Sequence, residues 1–170
     1  MVTINFRLAQ KDDLDQIKLI FKDISNKMDY EQIQIWNENY PGEYFEKDIN
    51  KQRLYLLLKQ QDIISAFALC DMDSEERTDK WEYRDGKSLY LYRFAVNVNY
   101  LRKGIGSLTL EKAKETAKRL GAKNLRLFVV DINKPAIDFY INNGFSKIEG
   151  VYEDFVNDQL LYEYGYEIRL

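Results

Sequence analysis

The chain has no histidine among its 170 residues. That absence rules out a Ser-His-Asp triad, a Cys-His pair, a His-Glu metalloprotease helix and any zinc site with a histidine ligand. Proton transfer near neutral pH is left to carboxylates, tyrosine, lysine or ordered water, and no metal site is expected. There is one cysteine, Cys70, so no internal disulfide can form, which fits a reducing compartment. It ends the apolar stretch Ala66-Phe-Ala-Leu-Cys70 and has no histidine to make it a thiolate, so it reads as a buried inert thiol rather than an acyl carrier. The N-terminus has no apolar run long enough for a signal peptide. No segment approaches the roughly 18 apolar residues of a membrane span, so a cytoplasmic protein without a membrane partner is expected. A net charge of -3 gives no electrostatic reason to expect nucleic acid.

What is present is an ordinary globular composition, 45% hydrophobic and 31% charged. The length suits one domain over residues 1–170, with a single core and no repeat or linker. Residues 3–8 alternate, with Ile4, Phe6 and Leu8 on one side, as in a half-buried strand. An acidic start, Lys11-Asp-Asp-Leu-Asp15, then leads into Leu14, Ile17, Phe21, Ile24 and Met28 at helical spacing. Pro41-Gly42 marks a turn before a short second helix, and residues 54–59 and 63–72 read as a hairpin. A charged loop over residues 73–87 leads to a strand from Leu89, a helix over 104–120 stopped by Gly121, and a strand over 125–130. A helix with Pro135 in its first turn follows, then strands over 145–152 and from Leu160 to the end. The last is expected to set Leu160, Tyr162, Tyr164, Tyr166, Ile168 and Leu170 against Glu163, Glu167 and Arg169 on the other face. The order implies an α/β fold: a mixed, mostly antiparallel sheet with one parallel pair from the strand–helix–strand crossover, flanked by about four helices.

Two clusters carry chemistry. In the first, Leu89-Tyr-Leu-Tyr-Arg-Phe-Ala-Val-Asn-Val-Asn-Tyr-Leu-Arg-Lys-Gly-Ile-Gly-Ser107, a strand, a glycine turn and a helix start run together. Gly104 and Gly106 allow a tight turn, and the N–H groups from Arg102 through Lys103 and Ile105 to Ser107 can converge on an anion. The charges of Arg102 and Lys103 add to that attraction. A P-loop would need Gly-x-x-x-x-Gly-Lys-Ser/Thr, and a dinucleotide fingerprint would need a third small residue where Thr109 stands, so neither ATP nor NAD is favoured. A glycine turn that merely lets strand and helix pack is the simpler reading of this motif alone.

The second cluster is Asn133-x-x-Ala136-x-x-Phe139-Tyr140-x-x-x-Gly144-Phe145. Asn133 reads as a helix N-cap, and Tyr140, two turns later on the same face, reads as a core aromatic. Taken together, the clusters resemble the GNAT superfamily of N-acetyltransferases, which bind acyl-coenzyme A; the likeness covers residues 89–145. The first motif of that family is Gln/Arg-x-x-Gly-x-Gly/Ala, and here Leu101 takes its first place, with Arg102 one residue later. Val98 stands where a proline is often found. The resemblance implies that the pyrophosphate rests on residues 102–107 and that the backbone of Phe94, Ala95 and Val96 pairs with the pantetheine arm. It also implies that Asn133 hydrogen-bonds the pantetheine and that Tyr140 protonates the departing thiolate. Acetyl-coenzyme A is then the donor and a primary amine of a small molecule or peptide the acceptor; the alternative is a non-catalytic acyl-coenzyme A-binding module.

No residue announces itself as the base that deprotonates the amine. In the branch that acetylates ribosomal protein N-termini a glutamate lies five residues before the motif asparagine, and here that place is Phe128. The candidates are Asp71, Asp73, Glu82 or a water held by backbone carbonyls. The aromatic stretch Tyr30, Trp36, Tyr40, Tyr44 and Phe45, with Glu31, Glu38, Glu43 and Glu46, suits either a cage for a cationic amine or a helix pair packed on the sheet. The tyrosine-lined C-terminal strand suits pairing across a homodimer or plain core packing.

Overall fold

In a computed structural model the described residues are 3–37, 39–71, 80–156 and 158–170. Among them the chain forms eight strands and four α-helices. The strands are β1 (Ile4–Leu8), β2 (Leu54–Lys59), β3 (Asp62–Cys70), β4 (Lys87–Val96), β5 (Ala122–Val130), β6 (Ser146–Lys147), β7 (Tyr152–Val156) and β8 (Gln159–Arg169). The helices are α1 (Leu14–Tyr30), α2 (Gly42–Asn50), α3 (Ile105–Arg119) and α4 (Lys134–Asn142). The strand order is β1-β2-β3-β4-β5-β8-β6, with β7 paired to β8. β4 and β5 are parallel, whereas β1–β2, β2–β3, β5–β8, β6–β8 and β7–β8 are antiparallel. The mixed, mostly antiparallel sheet with a parallel pair is the one the element order implies.

The chain divides into two compact units, Met1–Leu69 with Tyr92–Ala113, and Cys70–Leu91 with Lys114–Leu170. In the first, the apolar runs of β2 and β3 bury Leu54, Leu56, Leu57, Ile63, Ile64 and Phe67. Helix α1 adds Ile17, Phe21 and Ile24, the spacing that its sequence shows. Its entry is fixed electrostatically. Arg7 donates to both carboxylate oxygens of Asp13, at 2.7 and 2.9 Å, and the Gln10 N–H donates to Asp13 at 2.7 Å. The second unit packs Leu89, Leu125, Leu127, Val129, Tyr140, Phe145, Leu161 and Tyr166.

The C-terminal part differs from the sequence expectation. The strand expected over 145–152 is reduced to Ser146–Lys147, and Tyr152–Val156 forms a further strand paired with β8 from Tyr152↔Glu163 to Val156↔Gln159. Asp158, at φ 62°, supplies a left-handed residue between the two β-prone runs, as a tight hairpin requires. Nor is the polar face of β8 uniformly solvated, because Glu167 is buried. Its carboxylate accepts the N–H groups of Glu82 at 2.6 Å and Tyr83 at 3.3 Å, and lies 3.7 Å from Arg126. Burying a carboxylate requires such partners.

Candidate functional site

The first cluster folds as a strand, a loop and a helix start. Asn97 closes the end of β4: its N–H and side-chain amide donate to the carbonyls of Ile64 and Ile63, both at 2.9 Å. Its Oδ1 accepts the N–H of Asn99, and its carbonyl accepts that of Tyr100, forming a 3-10 turn over Val98–Tyr100. The chain then passes through two left-handed residues, Arg102 at φ 58° and Gly104 at φ 76°. Gly106 lies inside α3, so Gly104 is the glycine of the pair that the turn requires. The first intrahelical hydrogen bond runs from Leu108 to the carbonyl of Gly104. The N–H groups of Ile105, Gly106 and Ser107 precede it, and together with the helix dipole they give this turn an anion-binding character.

The side chains here divide their roles. Arg102 is exposed. Lys103 folds back, donating to the carbonyl of Asn99 at 2.9 Å with its ammonium 5.3 Å from the Tyr100 ring centre. Tyr100 donates to Asp62 at 3.0 Å, which raises the phenol pKa. At the root of α3, Thr109 donates to the Ile105 carbonyl at 2.7 Å and lies 2.6 Å from the Ser65 hydroxyl, anchoring the helix start to β3. Upstream, Phe94 and Val96 are half-buried and Ala95 is buried. The parallel ladder of β4 with β5 runs from Lys87↔Ala122 to Tyr90↔Arg126, so these three residues lie beyond it.

The second cluster belongs to the other unit. Asn133 caps α4, its Oδ1 accepting the Ala136 N–H at 3.3 Å. The side-chain N–H groups are then what Asn133 has to offer a ligand carbonyl. Tyr140 is buried, its ring 5.3 Å from that of Phe139 and 5.4 Å from that of Phe145. Burial pushes its phenol far above the ordinary value, so the group stays protonated near neutral pH.

Among the base candidates, Asp71 is exposed and pairs with Lys87 at 3.8 Å. The side chain of Glu82 is exposed, while its N–H is spent on Glu167. Asp73 and Glu38 lie outside the described residues. Phe128 packs edge-on against Trp81 at 5.4 Å and Tyr152 at 5.8 Å. The aromatic stretch is mixed, with Phe45 buried and Trp36, Tyr40 and Tyr44 half-buried. Phe45 is fully buried against Phe21, which also stacks on Trp36, whereas Tyr30 is 90% exposed and Glu31 pairs with Lys27. The ring of Tyr44 faces the Arg93 guanidinium. Cys70 is buried and forms no disulfide.

Sequence reasoning passed over Asp48 and Arg93. Asp48 is fully buried on α2, with Oδ2 2.5 Å from Arg93 Nε and Oδ1 accepting from Arg53 Nε at 2.6 Å. The available signal was a lone arginine inside the apolar strand Leu-Tyr-Leu-Tyr-Arg93-Phe-Ala-Val.

Comparison with known proteins identifies the family and the fold. A model of the acetyltransferase (GNAT) family matches residues 20–145. The thialysine N-epsilon-acetyltransferase of Bos taurus is 42% identical over 55 residues, 32% of either chain. An uncharacterised N-acetyltransferase of Methanocaldococcus jannaschii is 32% identical over 85 residues, half of this chain and 35% of that protein. The chain thus spans about a third of the length of the curated relatives it matches. In fold it is similar to Arabidopsis thaliana NAA60 in complex with acetyl-CoA, with a TM-score of 0.75 at 18% identity over 99% of both chains. A GNAT-family acetyltransferase from Streptococcus agalactiae gives a TM-score of 0.79 at 15% identity over 100% of this chain and 99% of that one.

Proposed function

Because the chain belongs to the acetyltransferase (GNAT) family, we propose that it transfers the acetyl group of acetyl-coenzyme A directly to a primary amine of a small molecule or peptide. The observation that carries this reading is the turn from β4 into α3. Two left-handed residues lead into a helix whose first-turn N–H groups have no intrahelical partner, a setting suited to a pyrophosphate, on the motif that resembles the family's donor loop. The neutral amine attacks the thioester carbonyl, the new C–N bond forms, the C–S bond breaks, and the amine loses a proton to a carboxylate or water. Tyr140 meets the departing sulfur. With its pKa raised by burial the phenol keeps its proton at working pH and stabilises the thiolate as a donor.

Release of coenzyme A thiol, screened against amino acids, polyamines, aminoglycosides and peptide N-termini, tests the reaction. Lysine-like amino acids head the panel because one relative is named for thialysine. With the acceptor that turns over, Tyr140→Phe is expected to lower kcat by about 100-fold, with coenzyme A binding retained. Full kcat in that variant removes the role given to Tyr140. Calorimetric binding of coenzyme A with no thiol release across the panel leaves a non-catalytic acyl-coenzyme A-binding module.

A further inference from the structure

Strand β4 is irregular at its centre. Arg93 has φ 51°, a left-handed conformation that is unfavourable for any residue with a Cβ and unusual within a strand. Leu89, Tyr90 and Leu91 are buried in succession, after which burial alternates, with Arg93 and Ala95 inside. Leu89, Leu91, Arg93 and Ala95 keep the same inward alternation throughout, so the irregularity is the left-handed backbone of Arg93 itself, immediately before Phe94, Ala95 and Val96.

The side chain of Arg93 explains how such a backbone persists. It is 5% exposed, and its Nε lies 2.5 Å from Oδ2 of the fully buried Asp48. Its guanidinium carbon lies 5.1 Å from the ring centres of both Tyr44 and Tyr92. Tyr44 and Asp48 are four residues apart on α2 and so share one helix face, which grips Arg93 by charge and by an aromatic ring at once. The second oxygen of Asp48 is held by Arg53, so the carboxylate is fixed from two sides. A buried ion pair of this kind adds little net stability, because desolvation offsets its attraction. Its clearest effect is on conformation.

We propose that Asp48 and Arg93 form a lock that holds the irregular turn of β4, so that the backbone of Phe94, Ala95 and Val96 meets the pantetheine arm of acyl-coenzyme A in one orientation. They are positioning residues, and their role rests on the donor reading above. The lock acts on the strand that takes the pantetheine and leaves the pyrophosphate turn, which is anchored separately through Thr109 and Ser65, unaltered.

The test compares Arg93→Gly, which keeps the left-handed backbone accessible and leaves Asp48 its Arg53 partner, with Arg93→Met, which keeps most of the side-chain volume. Calorimetry measures two probes on wild type and both variants: coenzyme A, and its phosphoadenosine diphosphate fragment, which lacks pantetheine. The expected result is a loss of about tenfold or more in coenzyme A affinity, with fragment affinity unchanged. Unchanged coenzyme A affinity in both variants overturns the lock, and so does an equal loss for both probes. Wild type that binds neither probe overturns the donor reading itself, and the lock with it.

Discussion

At the scale of the residue, the turn from β4 into α3 depends on backbone conformation more than on side-chain chemistry. A Cβ added at Gly104 would meet no atom within 4 Å, yet its φ of 76° is one that L-residues rarely adopt. Gly104→Ala is therefore expected to cost about 1–2 kcal/mol through conformation alone, and Gly104→Asn less, because asparagine tolerates the left-handed region. Urea unfolding of the three proteins measures this; an alanine variant as stable as wild type would contradict it. The same reasoning explains what was legible in the sequence. A glycine between a strand and a helix announces a turn, and Asn133, three residues before Ala136, announces a cap. Asp48 and Glu167 gave no such sign, and Arg93 only that of a lone charge in an apolar strand. A charged residue is read as exposed until a partner is known, and each of these is buried only because a distant segment supplies one.

At the scale of the element, the apolar periodicity that outlined α1 does not show what sets its beginning. The Asp13 carboxylate does this by accepting both Arg7 hydrogen bonds and the Gln10 N–H, and the Arg7 bonds above all hold its pKa below the ordinary value. A carboxyl with a depressed folded-state pKa stabilises the fold above its unfolded value, and that contribution fades as pH falls through the folded value. Asp13→Asn is expected to lower the unfolding free energy near pH 7 by about 1 kcal/mol, allowing for the partial exposure of Arg7. The gap to wild type should close as the pH falls below about 4. Denaturation at several pH values measures it, and a gap that stays constant down to pH 2 would exclude Asp13 as the cause. Strands were legible where one face was clearly apolar, as in β2, β3 and β5. The segment after Phe145 was not, because its mixed run hides a short strand, a loop and a hairpin whose pairing with β8 depends on residues further along the chain.

For the molecule as a whole, the missing histidine has a consequence for the reaction profile. No side chain here has an ordinary pKa between about 5 and 8, the interval in which histidine usually shapes enzyme rates. The Tyr140 phenol, proposed above to meet the leaving group, is shifted upward by burial, away from that interval. In the proposed reaction, what titrates in the working range is therefore the acceptor amine, which attacks only when neutral. For an aliphatic amine, kcat/KM for the acceptor should rise about tenfold per pH unit from pH 6 toward the amine's own pKa. It should show no inflection near 6.5 and no descending limb below about pH 10 from loss of the Tyr140 proton. Initial rates of thiol release between pH 6 and 10, with acceptor below KM, give this profile. A bell with its falling arm near pH 8 would mean that a group other than the buried phenol donates to the leaving sulfur. A plateau beginning near 6.5 would assign the base to a carboxylate whose surroundings raise its pKa by more than two units.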